Sequence, residues 1–235
     1  MKEGPKVPAF KEKLLSHSEH GEKTRAGSLL QFQGRNDLVV RPLNWAKMLE
    51  KGRVNPGDVA DVSAVDFAKI SKRHFDELRM YGVEVPVSFV VADSSVRKQK
   101  YQEEVFAVVE NVKQAEHPDR ARVGKAFAIL RENLLRYYTD KVLTDESFLA
   151  DIVKDRQYVY GRRPGDKKDK LYLVDIEPYI YNGPVALRVI LRTMTDLLRD
   201  EKRYFKSSRY DVIISGFELL LEMLDSRGRA ARKRP

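Results

Sequence analysis

Two carboxylates, Asp175 and Glu177, follow the apolar run Leu171-Tyr172-Leu173-Val174. A carboxylate just past a buried strand can hold a hard cation such as Mg²⁺, which keeps several of its waters and asks for few protein ligands. The same placement suits a turn or a helix cap, because Asp accepts hydrogen bonds from nearby backbone N–H groups. Both readings stand at this level. The chain has no cysteine, which excludes a thiolate metal site, a thiol nucleophile and a disulfide framework. Its histidines, His17, His20, His74 and His117, are scattered. His17 and His20 have a spacing that can share a metal, but no clear third ligand accompanies them, so solvated surface is expected. His74 falls on an apolar helical stripe, where a satisfied, partly buried imidazole is expected. There is no Gly-x-Ser-x-Gly elbow, no His-Glu-x-x-His helix and no Ser/His/Asp set readable from spacing.

Charge and composition bound the partners. The 235 residues are 42% apolar and 34% charged, enough for one or two domains with a sizeable core. Apolar runs are only a few residues long, so no membrane span is expected; a spanning helix needs roughly 20. Residues 1–26 hold six cations and four acids with no apolar core of an export signal, and a cytoplasmic location follows as the expectation. The net charge is +9, and Arg227, Arg229, Arg232, Lys233 and Arg234 supply five cations in eight residues. Such a tail is either a solvated end or a contact for nucleic acid or anionic lipid through counter-ion release. Residues 161–170 carry five cations and two acids, read as a solvated hairpin tip or as a docking patch for an acidic partner. No zinc pattern, RNP-type aromatic signature or basic recognition helix accompanies these charges.

Hydrophobic periodicity gives the elements that must position these side chains. A short helix is expected around Phe10–Leu15. Two β-type runs around Gly34-Arg35-Asn36-Asp37 read as a hairpin over residues 28–43, followed by a short helix near Trp45–Lys51. Ser63 caps a helix over 63–81, with Asp66 in its first turn, Phe67, Ile70, His74, Leu78 and Tyr81 on one face, and Gly82 as its stop. Strands follow at 85–91 and 105–109, the second apolar throughout, as in a strand covered on both faces. A helix near 119–138 comes next. After Thr144-Asp145-Glu146 a short amphipathic helix is expected through Leu149 and Ile152. A hairpin at 157–174 and helices from Pro184 and near 210–225 complete the chain.

This order resembles the two-lobed protein-kinase-like fold, in the compact form of aminoglycoside-phosphotransferase and lipopolysaccharide-kinase relatives, over roughly residues 28–225. The resemblance implies an α+β chain. It has a polar segment at 1–27 and a sheet-plus-helix lobe at 28–112. A helical lobe at 113–225 holds the hairpin, and a basic tail fills 226–235. It implies ATP and Mg²⁺ as cofactors, with nucleotide in the cleft between lobes. Val39-Val40-Arg41 falls where kinases place the phosphate-holding Lys, so Arg41 takes that role. Glu77 falls where an acid pairs with that cation, although it also stands one turn from Arg73. Val108-Val109-Glu110-Asn111-Val112 resembles the adenine-binding link, which assigns Glu110 and Val112 to the nucleotide. Asp151 falls at the catalytic acid, with Asp155 as the other available acid, and Gln157 and Asp175 fall at the metal-binding positions.

The sequence also departs from the kinase pattern. Gly27 and Gly34 are seven apart, and no Gly-rich phosphate loop joins them. Asp151 lies six residues before Gln157, where kinases place an Asp five before an Asn. Without the glycines, fewer backbone N–H groups can approach phosphate. The resemblance therefore implies a weak or specialised ATP-dependent phosphotransferase. The alternatives are a catalytically inactive kinase-like scaffold, a pseudokinase, that binds a partner, or a basic nucleic-acid-binding protein.

Overall fold

The computed structural model describes residues 14–16, 30–32, 34–45, 48, 62–93 and 103–232. The chain is α+β. Five strands, β1 (Leu14–Ser16), β2 (Leu30–Phe32), β3 (Arg35–Leu43), β4 (Val87–Asp93) and β5 (Glu103–Glu110), form one sheet in the order β1-β2-β3-β5-β4. Every pairing in it is antiparallel. Helix α1 (Ala64–Met80) connects β3 to β4 and packs on β4 and β5. Ser63 starts it: its hydroxyl accepts the Asp66 N–H at 3.1 Å. Gly82, at φ +83°, ends it in a conformation that costs other residues a steric penalty. Phe75 of α1 stacks on Phe89 of β4 with ring centres 5.5 Å apart.

β5 shows why a continuous apolar run was needed. Side chains alternate across a strand, so Val105, Ala107 and Val109 enter the main core. Phe106 points the other way, into a second cluster with Val40 and Ala92.

The remainder is mostly helical. Strand β6 (Lys113–Gln114) precedes α2 (Arg120–Thr144), which Asp119 caps through the N–H groups of Ala121 and Arg122. β7 (Phe148–Leu149), a 3₁₀ turn (Asp155–Gln157), β8 (Tyr158–Arg162), β9 (Lys170–Leu173) and β10 (Ile180–Tyr181) follow. Helices α3 (Pro184–Phe205) and α4 (Arg209–Arg232) close the order. β6, β8 and β9 make one small antiparallel sheet, and β7 with β10 makes another. Helices α2, α3 and α4 pack on one another. A buried ion pair, Arg131 to Glu201, joins α2 to α3, and the same guanidinium donates to the Val153 carbonyl at 2.8 Å.

Four expectations need correction. Leu14 and Leu15 lie in β1, not in a short helix. α2 runs on to Thr144, where Asp145 at φ 57° turns the chain. No helix follows it: Phe148, Leu149 and Ala150 are buried in succession, which an extended segment between two layers allows and a one-sided helix does not. Finally, α4 reaches Arg232, so Arg227, Arg229 and Arg232 are helical rather than part of a tail. The expected helix near Trp45–Lys51 lies mostly outside the described residues, as do Lys233 and Arg234.

Candidate functional site

The β8–β9 hairpin joins the large sheet to the helical part. The Glu84 carbonyl accepts the Leu173 N–H at 2.9 Å, and the Lys170 ammonium meets the Glu84 carboxylate at 2.6 Å. This delivers Asp175 to the sheet. Arg41, opposite Ala107 in the β3–β5 ladder, donates from one terminal nitrogen to Asp175 Oδ1 at 2.7 Å. Its other terminal nitrogen is 3.2 Å from Glu177 Oε1. The Arg41 side chain is only 13% exposed, and its Nε is buried without a hydrogen-bond partner. Glu177 is steadied by the Tyr179 hydroxyl, which donates to it at 2.6 Å.

The turn beneath Asp175 is tightly bonded. The Gln157 carbonyl accepts the N–H groups of Val174 at 2.9 Å and Asp175 at 3.2 Å. The Gln157 carboxamide is buried; it accepts the Lys154 N–H at 2.9 Å and donates to the Asp151 carbonyl. Both its ends are thus engaged by the turn, and neither is left for a metal. The Asp151 carboxylate meets the Lys154 ammonium at 3.2 Å. Asp151 borders a cavity of about 570 Å³ with Lys154, Tyr179, Tyr181 and Ile190. Asp155 opens instead on a different cavity, of about 460 Å³, with Phe127, Tyr204 and Glu201. The two candidate acids therefore do not share a cavity.

Glu77 does not join this group. Its carboxylate meets Lys141 of α2 at 2.5 Å and stands 3.7 Å from His74 on its own helix. Burial pulls its carboxyl upward, but the nearby His74 ring and the Lys141 ammonium outweigh that and hold it below the ordinary glutamate value. Arg73 is therefore not its partner either.

Glu110 and Val112 sit at the end of β5. The Glu110 carboxylate accepts from Arg163 at 3.0 Å, and its N–H donates to the Pro86 carbonyl. The next N–H, that of Asn111, donates to the Asp37 carbonyl at 2.6 Å. Val112 is half-buried beside them. The backbone donors of Glu110 and Asn111 are thus satisfied within the protein.

The basic hairpin tip is largely self-neutralised. Arg162 pairs with Asp169 at 3.1 Å, and Arg163 pairs with Asp166 at 3.1 Å as well as with Glu110. Hydrogen bonds from Tyr172 and Arg163 draw the Asp166 carboxyl down to about 2. Lys167 and Lys168 make no ion pair among the described residues. At the other end of the chain, Arg227 donates to the Val142 carbonyl.

Arg41 and Asp175 are brought together and Glu177 joins them, whereas Glu77, the acid that the kinase-like resemblance pairs with Arg41, lies on Lys141 instead. Ser147 was missed as the neighbour of His74, and Lys141 as the partner of Glu77, because nothing in local spacing links positions 73 or 64 residues apart. Among the described residues, no group of three or more His, Asp or Glu could hold a metal ion. No helix among them is long and apolar enough to cross a membrane. No family model matches the chain, and neither a curated protein nor a solved structure matches it.

Proposed function

We propose that the chain is a kinase-like protein that acts as a partner-binding scaffold, with its phosphate cation and metal carboxylates turned into an internal lock. The order of elements supports the likeness. A five-stranded antiparallel sheet carries a helix between its third and fourth strands, and a hairpin returns a carboxylate to the third-strand cation.

One observation carries the inactive reading: Arg41 is held by Asp175 and Glu177 together. A nucleotide would have to displace both carboxylates from the guanidinium before phosphate could use it. Mg²⁺ would then have to compete with Arg41 for Asp175. The residues present do not fit a bound Mg²⁺, since Gln157 is held in its turn.

The test is a thermal-shift titration with ATP and Mg²⁺ on the full chain. We expect no shift at millimolar nucleotide. A shift in the wild type that disappears in Asp175→Ala would replace this reading with a weak phosphotransferase using Asp151 as base. The nucleic-acid alternative is less favoured because Arg162, Arg163, Lys170 and Arg227 all have partners inside the protein. A salt-sensitive gel shift that survives in wild type and is lost on reversing Lys167 and Lys168 to Glu would restore it.

A further inference from the structure

A second cluster of reactive types sits where α1 meets the end of α2, and it is independent of the kinase-like reading. Ser147 follows the turn after α2, and its Oγ is 3.3 Å from His74 Nε2. On the other side of the ring, His74 Nδ1 is 3.7 Å from Glu77 Oε2. That carboxylate is fixed from behind by Lys141 at 2.5 Å, and Lys141 is itself held by Glu146 at 3.1 Å.

Two further observations mark the cluster as more than packing. His74 is 2% exposed, yet its Nδ1 has no hydrogen-bond partner. Buried polar atoms are normally satisfied, so an orphaned imidazole nitrogen calls for an explanation. Ser147, His74 and Glu77 also line one open cavity of about 770 Å³. Arg73 lines it too and makes no ion pair among the described residues.

We propose that Ser147, His74 and Glu77 form a nucleophile–base–acid set that hydrolyses small esters carrying a negative charge. With a proton on Nδ1 facing Glu77, Nε2 is the acceptor and takes the Ser147 hydroxyl hydrogen bond. Ser147 Oγ attacks the ester carbonyl carbon, and its proton passes to Nε2. The bond from that carbon to the alkoxy oxygen breaks, and the leaving alcohol takes the proton from Nε2. Water then repeats the sequence on the acyl-serine, which releases the carboxylic acid and restores Ser147. Glu77 is a positioning residue: it orients the ring and balances the imidazolium that forms at each step. The 3.7 Å gap must shorten by under about 1 Å to become a hydrogen bond, as catalytic contacts in free enzymes commonly do. Arg73 supplies the cation for the substrate's anionic end.

The experiment pairs a fluorophosphonate with p-nitrophenyl hemisuccinate on the full chain. Peptide mass spectrometry should find the phosphonyl adduct on Ser147, and Ser147→Ala should show neither adduct nor ester turnover. Ser147 is half-buried, so this variant should keep the wild-type melting temperature. Glu77→Gln should slow labelling by about a hundredfold and displace its pH profile, whereas an uncharged methyl ester should be a poorer substrate than the hemisuccinate. Labelling should rise with pH, because the step needs Nε2 free to accept the Ser147 proton. No adduct on Ser147, turnover unchanged in Ser147→Ala, or a pH-independent labelling rate would each overturn the proposal. His74→Gln removes a buried ring and can unfold the chain, so the Ser147 variant and the pH profile carry the decision.

Discussion

Removing the Arg41 guanidinium would leave Asp175 and Glu177 side by side without their cation. We expect Arg41→Ala to lower stability by about 1.5–3 kcal/mol, the range for hydrogen bonds to charged groups, read from the urea midpoint. Glu77 gives a pH signature. Its carboxyl is held below the ordinary value, so its contribution is fully present above the unfolded glutamate range. That contribution is lost as pH falls through the lower folded value. Melting temperature measured from pH 3 to 7 should fall less steeply on the acid side in Glu77→Gln than in wild type. At this scale the sequence was partly legible. Asp175 announced itself by following an apolar strand, and the β-run around Arg41 marked a strand. Their meeting across 134 residues, and the entry of Glu177, depend on how the β8–β9 hairpin docks on Glu84, which no local pattern encodes.

Among the elements, α2 anchors both the helical layer and the turn that carries Asp151. Arg131 is fully buried and holds Glu201 and the Val153 carbonyl at once. Arg131→Ala should cost about 3–5 kcal/mol, because it leaves Glu201 buried and alone. The double replacement Arg131→Met with Glu201→Leu should recover most of that loss in the same denaturant titration. Gly124 gives a second check on α2. A Cβ there would come 2.6 Å from the Phe205 ring, which already stacks on Phe127 and Tyr210. Gly124→Ala should therefore destabilise by about 1–3 kcal/mol despite the better helix propensity of alanine, as seen in the melting temperature. Long periodic helices such as α1 were readable because one face repeats over many turns. β6, β7 and β10 were not: each is two residues long, and its strand character comes wholly from its partner. Leu149 and Ile152, three residues apart, looked like one helix face when only periodicity was available.

Across the whole molecule, the α+β class and the sequence of strands before helices could be argued from the change of period alone. The overall charge of +9 was a poorer guide. It suggested cationic surfaces ready for a partner, whereas most of the hairpin tip's positive charge is neutralised locally. Counting residues cannot distinguish a cation facing solvent from one facing a carboxylate brought in from elsewhere. Where the apparent surplus sits matters for any experiment on the C-terminal end. α4 carries Arg227 back to the carbonyl end of α2, where its guanidinium sits on Val142. Helix ends leave their last carbonyls without intrahelical donors, and a cation there also offsets the helix dipole. Cutting the chain ahead of Arg227 would therefore unplug α2 as well as remove charge. A truncated protein that lost a partner could have lost it through a frayed α2, whose end also bears Lys141. Reversing Lys233 and Arg234 to Glu, with Arg227 kept, changes the electrostatics while the plug stays in place.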